Sequence, residues 1–155
     1  MSILKFFKKL HRNRKFLLYI FESTIALIYS KVLRYFTSFE GLKKNFGHYQ
    51  CESISIIFQN ESHVFKQIQR SIKLVVKYLP WKARCLDQAL AVQWMLRRRN
   101  LDHTLYFGMV KNSVSSEQWL AHAWVRCGNC WVIGYEPHIP YTVVATYAWF
   151  SPIKK

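Results

Sequence analysis

A cysteine and a histidine are the residues whose chemistry stands out in this chain. Cys85 begins an apolar segment, and His122 lies in a strand-like run further along. A thiol becomes a nucleophile when a nearby imidazole takes its proton, and such partners are usually distant in sequence and adjacent only in the fold. The pair therefore predicts catalysis with Cys85 as nucleophile and His122 as base. A small core cysteine and a structural strand histidine are the alternatives that the sequence leaves open.

The spacing of apolar residues predicts a helix that begins near Cys85. The residues that share its apolar face are Cys85, Ala89, Val92 and Leu96. The N-terminal end of a helix carries unpaired N–H groups and the positive end of the helix dipole, and both stabilise a thiolate. Arg84 and Lys82 are expected to lower the pKa of the thiol further. At the other end, three arginines at 97–99 complement the dipole, and Asn100 is a candidate C-cap.

Three strands are predicted after this helix. Residues 101–110 and 120–126 alternate as strands do, and residues 131–133 form a third strand after a turn at Gly128-Asn129. His122 would then lie in a small antiparallel meander that packs against the cysteine helix. The two alanines that flank it leave room for a second group to approach the imidazole.

Two helices are predicted upstream of the cysteine. Residues 16–29 are apolar and aromatic behind a basic prefix, and Glu22 interrupts the run. We expect this stretch to be too short to span a bilayer, and no signal-peptide cleavage site follows it. A helix buried against the catalytic domain is the first interpretation, and peripheral attachment to the inner membrane face is the second. Residues 63–78 have amphipathic spacing, whereas residues 53–58 are a short strand or a linker.

The order of three helices and then three strands predicts an α+β fold, with the cysteine helix packed on a small antiparallel sheet. With 155 residues and 51% hydrophobic content, the chain is long enough for one well-filled domain. We expect a single catalytic domain over 1–155, in which residues 1–46 form a basic helical N-terminal region and residues 63–155 the core.

Four sequence blocks resemble a known family. They are YLPWKARCLDQALA (78–91), LRRRN (96–100), LYFGM (105–109) and AHAWVRCG (121–128). In this order they are similar to the leader peptidases of lasso-peptide maturation, in their stand-alone form (the B protein of the microcin-processing type). Those enzymes belong to the transglutaminase-like, papain-like cysteine hydrolases. Residues 14–46 and 141–147 extend the resemblance to nearly the whole chain.

The resemblance implies a cytoplasmic cysteine peptidase that cuts the leader from a ribosomally made precursor peptide. Cys85 would attack the scissile carbonyl, His122 would move the protons, and N–H groups at the start of the helix would form an oxyanion hole. No cofactor and no metal are implied. The implied partners are the precursor, a separate leader-recognition protein and a separate cyclase that closes the macrolactam.

The third member of the triad departs from the family pattern. Relatives often carry an aspartate about a dozen residues beyond the histidine, and Gly134 occupies that register here. In a hairpin that turns near 128–129, residues 134–136 lie opposite or diagonal to His122. Glu136 is the acidic residue in that stretch and is the candidate to orient the imidazole, although a shift of one residue in register would turn it away. Asn129 is a weaker candidate.

The charge of the chain is strongly positive, because 23 Lys and Arg oppose 8 Asp and Glu, for a net charge of +15. An acidic leader, a recognition protein or an anionic membrane surface would each complement it. Nucleic acid is not favoured, because no helix-turn-helix, zinc-finger or RNA-binding signature accompanies the charge. Two further functions stay open: a basic, non-catalytic binding subunit, and transglutaminase-like acyl transfer to an amine through the same cysteine and histidine.

The pair Cys127 and Cys130 raises a rival chemistry. A Cys-x-x-Cys at a turn is half of a zinc site or a redox pair. A closed zinc site needs two more ligands, for which Cys51 and either His48 or His138 are the candidates. The motif lies between strands and not at a helix N-terminus, which argues against a thioredoxin-like pair. Free thiols in a reducing cytoplasm are therefore expected.

Overall fold

The computed structural model describes residues 14–54, 61–111 and 118–152. Over these ranges the chain forms four helices and one antiparallel sheet of five strands. The helices are α1 (Arg14–Phe36), α2 (Phe39–Lys43), α3 (Glu61–Tyr78) and α4 (Cys85–Arg97). The strands are β1 (His48–Tyr49), β2 (His103–Lys111), β3 (Trp119–Cys127), β4 (Cys130–Ile133) and β5 (Thr142–Trp149).

The sheet has the strand order β1-β5-β2-β3-β4, and every neighbouring pair is antiparallel. β2 and β3 pair from Thr104 with Arg126 to Lys111 with Trp119, which places Gly108 opposite His122. β3 turns into β4 through Gly128 and Asn129, and Gly128 has the positive φ of 56° that a tight hairpin needs at its first central position. The histidine therefore lies on an interior strand of a rigid sheet.

Most predicted elements are confirmed, and the α+β class is correct. The predicted strands and the turn at 128–129 are present within a residue or two of their expected bounds. α2 and β1 were not predicted, because a helix of five residues and a strand of two are too short to show a periodicity. Of the stretch 53–58, which was predicted as a short strand or linker, residues 55–58 lie outside the described residues.

The core forms where α3 and α4 pack on β3 and β4, and where α1 packs on α3 and α4. Ala89, Val92 and Leu96, which were predicted to share one face of α4, are all fully buried, and Cys85 at the end of that face is half-buried. Full burial of a Val or Leu side chain stabilises the fold by about 1.5–3 kcal/mol. The same apolar face that holds α4 in the core thus directs the thiol toward β3.

The C-terminal end of α4 is closed by Asn100, as predicted. Asn100 has a φ of 51°, and the N–H of the next residue, Leu101, donates to the carbonyl of Leu96 at 3.2 Å. A residue in the left-handed region followed by such a bond is a common way to end a helix. The chain can then reverse at once into β2.

α1 is apolar on two faces. One face is buried, with Ala26 and Leu27 fully inaccessible, which confirms the expected packing against the other helices. The expectation about length was wrong: α1 has 23 residues and is long and apolar enough to cross a membrane, as judged by length and composition alone. Glu22 does not interrupt the helix, because its carboxylate pairs with Arg99 at 2.6 Å.

The start of α4 is fixed by a buried carboxylate, Asp87. Its Oδ2 accepts from the backbone N–H of Arg84 at 2.9 Å, and its Oδ1 accepts from Nε of Arg34 on α1 at 2.5 Å. Asp87 is only 1% exposed, so its charge depends on these donors. The N-terminus of the helix and its docking on α1 are therefore held by one side chain.

Replacing Asp87 by alanine is expected to lower the free energy of unfolding by about 2–4 kcal/mol, because the buried Arg34 pair and the helix cap are lost together. Urea denaturation of the purified variant measures this change. The control is Glu40→Ala, which removes a carboxylate from an exposed pair with Lys43 and should cost about 0.5 kcal/mol or less. Equal effects of the two substitutions would contradict this role of Asp87.

Candidate active site

Cys85 is the first residue of α4, and its half-buried side chain lies in a cleft between the helix and the sheet. The backbone N–H of Leu86, in the first helical turn, donates toward the sulfur, and the N–H of Ala123 on β3 does the same. First-turn N–H groups have no partner inside a helix, so they are free to stabilise a negative charge. The backbone around Cys85 is therefore arranged to hold a thiolate.

His122 is brought to Cys85 by β3, and the two side chains share a hydrogen bond. The other contact of the imidazole is fixed, because its Nε2 lies 2.6 Å from the carbonyl oxygen of Gly134. A carbonyl only accepts, so Nε2 carries a proton and donates it. Nδ1 is then the nitrogen that faces the thiol, and in the neutral ring it is the acceptor that a general base needs.

The pKa of the Cys85 thiol is lowered. Partial burial of the sulfur by itself raises the pKa, but the hydrogen bond from His122 and the N–H groups of Ala123 and Leu86 outweigh it. From the sequence, the N-terminal end of the helix was expected to lower this pKa, with a further contribution from Arg84 and Lys82. The N–H of Leu86 at the helix start does contribute, but the largest influence that lowers the pKa comes from the imidazole of His122.

The pKa of His122 is raised. Its hydrogen bond with Cys85 has the largest effect, partial burial opposes it, and the carbonyl of Gly134 and the charge of Glu136 add to it. A lowered thiol pKa beside a raised imidazole pKa favours transfer of the proton from sulfur to nitrogen. The two shifts bring the pKa values of the thiol and the imidazole closer together, which increases the share of the thiolate–imidazolium form relative to a free cysteine and histidine.

The acceptor closest to Nε2 of His122 is a backbone carbonyl and not a side-chain acid. Glu136 lies near the imidazole, with its Oε1 3.6 Å from Nε2, which is beyond hydrogen-bond distance, and its side chain is 42% exposed. Gly134, at the register where relatives often carry an aspartate, makes the 2.6 Å contact through its carbonyl. The structure thus brings Glu136 to the site as a nearby charge, while Gly134 makes the hydrogen bond.

Asn129, the weaker candidate for the third group, is not brought to the site. It lies in the turn beyond Cys127, which is five residues along β3 from His122. At about 3.3 Å per residue this is a separation of roughly 17 Å along the strand. Asn129 therefore cannot orient the imidazole.

The position of Gly134 does not accommodate a side chain. Its φ is 80°, and a Cβ there would lie 2.6 Å from the carbonyl oxygen of Ala123. Any larger residue would have to move the backbone that presents the carbonyl to His122. In the sequence, Gly134 marked only the place of a missing acid, because a carbonyl is common to every residue and its contact with His122 becomes visible only in the fold.

The ring of His122 packs against two aromatic rings, Tyr141 and Trp124, which also contact each other. Tyr141 lies with its centroid 4.9 Å away and nearly parallel, and Trp124 lies at 6.0 Å. Gly108 leaves the space for the Trp124 ring, because a Cβ at that position would lie 2.5 Å from it. These contacts restrict rotation of the imidazole, and they also stabilise its cationic form.

The cleft that holds both side chains has a volume of about 790 Å³. Its walls are mostly apolar and come from α2, β1, β2 and β5 as well as from the two reactive elements. The aromatic and basic residues that line it include Phe39, Lys43, Lys44, Tyr49, Phe107 and Tyr147. Those from α2 and β1 were missed by sequence reasoning, since neither element was predicted.

The cysteines outside the cleft do not build a metal site among the described residues, where no group of three or more His, Cys, Asp or Glu side chains is placed to hold an ion. Cys127 and Cys130 face each other across the β3–β4 hairpin, and the thiol of Cys127 donates to the carbonyl of Asp102. Cys51, like Cys130, has a free thiol.

A cysteine at a helix N-terminus, paired with a histidine on an antiparallel sheet, is an arrangement that thiol-dependent hydrolases and acyl transferases use. A family model of the transglutaminase-like superfamily matches residues 58–146, which is more than half of the chain. The chain belongs to this superfamily, which commonly includes cysteine peptidases and acyl transferases. No significant match was found among curated proteins or solved structures.

Replacing Gly134 by alanine is expected to slow alkylation of Cys85 at mildly acidic pH by about tenfold, since a displaced carbonyl lowers the basicity of His122. Glu136→Gln should slow it by no more than about threefold, because an exposed charge at this distance is screened by solvent. Mass mapping of the peptide that contains Cys85 after timed exposure to iodoacetamide measures both rates.

Two control variants accompany this comparison. Gly128→Ala strains a second glycine of positive φ at the far end of β3 and should leave the rate unchanged. Lys73→Gln changes an exposed charge on α3 away from the cleft and should also have no effect. An effect of Glu136→Gln as large as that of Gly134→Ala would contradict the leading role of the carbonyl.

Proposed function

We propose that this protein is a cysteine peptidase that removes the leader from a ribosomally made precursor peptide of the lasso class. The observation that carries the proposal is the contact between Cys85 and His122, in which the pKa of the thiol is lowered and that of the imidazole is raised. A group with these properties in the lining of a cleft is suited to attack an acyl carbon.

The dimensions of the cleft suit a peptide substrate. A volume of about 790 Å³ accommodates several side chains of an extended chain, and its apolar walls favour aliphatic or aromatic ones. Lys43 and Lys44 lie at the rim formed by α2. Lys43 is paired with Glu40, so Lys44 is the better candidate to meet an acidic group of the substrate.

The reaction proceeds in two stages. The Cys85 thiolate attacks the scissile carbonyl, and the imidazolium of His122 gives its Nδ1 proton to the leaving amine as the C–N bond breaks. The leader is then held as a thioester. Water attacks the thioester, its proton passes to Nδ1, and the thiolate leaves, which restores the starting ion pair. Gly134 keeps Nε2 protonated throughout, so that Nδ1 carries the moving proton.

The negative oxygen that forms at the carbonyl needs donors close to the sulfur. The N–H of Cys85 is in the first turn of α4, where it has no partner within the helix. It is the candidate donor, and the positive end of the helix dipole supports it. The N–H groups of Leu86 and Ala123 hold the thiolate before attack and are released as the sulfur becomes neutral.

The choice of a lasso precursor rests on the resemblance of the four sequence blocks around Cys85 and His122, together with the superfamily membership. The resemblance also implies two partners, a separate leader-recognition protein and a cyclase that uses the released core peptide. The net charge of +15 favours an acidic leader or an acidic recognition partner.

The test is mass spectrometry of a precursor peptide after incubation with this protein and its leader-recognition partner. Wild type is expected to release the intact leader with a free carboxylate. Cys85→Ala and His122→Ala should lower the rate by about a thousandfold or more, as removal of either member of such a pair does. Lys73→Gln, which changes an exposed side chain on α3 away from the cleft, serves as the control and should cleave like wild type.

Three outcomes would overturn parts of the proposal. Cleavage that persists in Cys85→Ala would remove the cysteine from the mechanism. A leader that ends in an amide when an amine is added, with little free acid, would make the protein an acyl transferase. No cleavage by wild type, when the partner is shown to bind the leader, would favour a non-catalytic binding subunit.

A further inference from the structure

α1 exposes a continuous line of apolar side chains on the face opposite to its buried one. We name this line the outer stripe; it consists of Leu18, Phe21, Ile25, Ile28, Val32 and Tyr35. These side chains are between 42% and 79% exposed. They follow steps of three and four residues, which places them on one side of the helix over five turns. Single exposed apolar residues are ordinary, but a contiguous patch of this length marks an interaction surface.

The inner face of α1 is fixed in the core. Ser23 donates to Ser71 on α3 at 2.7 Å, and Arg34 pairs with the buried Asp87 on α4. Ala26 and Leu27, between these contacts, are fully inaccessible. The helix therefore cannot cross a membrane without breaking the contacts that hold the active-site helix. It can only present the outer stripe sideways, with its axis parallel to whatever surface it meets.

Basic residues accompany the outer stripe. Arg14 and Lys15 are exposed at the first turn of α1, and Lys31 lies beside the stripe with its Nζ 4.3 Å from the centre of the Trp81 ring. Glu22, the one acidic residue in the α1 sequence, is paired with Arg99. In the sequence, Lys5, Lys8, Lys9 and Arg12 precede the helix. A surface of opposite charge is therefore favoured.

We propose that the outer stripe of α1 docks this protein on an anionic lipid surface, with the helix lying in the interface. Apolar side chains would enter the acyl boundary, and the basic residues would meet the phosphate groups. Tyr29 and Phe36, both exposed next to the stripe, supply the aromatic rings that favour this depth. The net charge of +15 argues against a second copy of the chain as the occupant, since two such copies repel each other.

The test is flotation of the full chain with vesicles of phosphatidylcholine alone, or with phosphatidylglycerol added. Wild type is expected to float with the anionic vesicles and only weakly with the neutral ones. Phe21→Ser/Val32→Ser should lower the partition coefficient by about tenfold or more, because it removes apolar area that enters the membrane. Arg14→Gln/Lys15→Gln should reduce the preference for anionic vesicles.

A matched control removes exposed apolar residues elsewhere. Ile54→Ser/Trp119→Ser changes two side chains that are 68% and 53% exposed and lie off α1, and it should float like wild type. Circular dichroism confirms that each variant is folded. Failure of wild type to bind anionic vesicles would overturn the proposal, as would equal loss in the control. A dimer that depends on Phe21 and Val32, without vesicle binding, would assign the stripe to a second copy instead.

Discussion

The position of the reactive thiol depends on the buried carboxylate of Asp87. It caps the backbone at Arg84, so that α4 begins at Cys85, and it binds Arg34, so that α1 is held against the same helix. A charge that is 99% buried is costly without partners, and these donors offset that cost only in one arrangement. The constraint links the N-terminal helix to the place where the sulfur meets the imidazole. The inner face of α1 thus holds the cysteine helix in place, whereas its outer face is exposed.

The imidazole of His122 is oriented by a backbone group and not by an acidic side chain. Nε2 of His122 donates to the carbonyl of Gly134, whereas Glu136 is at 3.6 Å and partly in solvent. A carbonyl fixes the tautomer as well as a carboxylate does, but it brings no full charge to stabilise the imidazolium. The nearby charge of Glu136 and the stacked ring of Tyr141 supply part of that stabilisation. Because the carbonyl of Gly134 occupies Nε2 at 2.6 Å, it fixes the tautomer, while Glu136 and Tyr141 help to stabilise the positive charge.

The elements that carry Cys85 and His122 were predictable from the sequence, because their helix and strand periodicities are clear and the turn at 128–129 sets the hairpin. The catalytic roles of the two residues stay a prediction. The contact to Gly134 could not be predicted, because every residue has a carbonyl and only the hairpin geometry selects one. α2 and β1 were not predicted because they are too short to show a periodicity, although their residues line the cleft. Both faces of α1 are apolar, so the sequence could not show which of them is buried. The packing of α1 on α3 and α4 determines the buried face.

The most direct test of the central claim, a thiolate held by His122, is the titration of the Cys85 thiolate by its ultraviolet absorbance, taken as the difference between wild type and Cys85→Ser. Thiolate accumulates as the pH rises through the thiol pKa, so a lowered pKa places the midpoint below the value of about 8.5 for a free cysteine. In His122→Ala the midpoint should rise, because the largest influence that lowers the thiol pKa is lost. A midpoint at or above the ordinary value, unchanged by His122→Ala, would contradict the account.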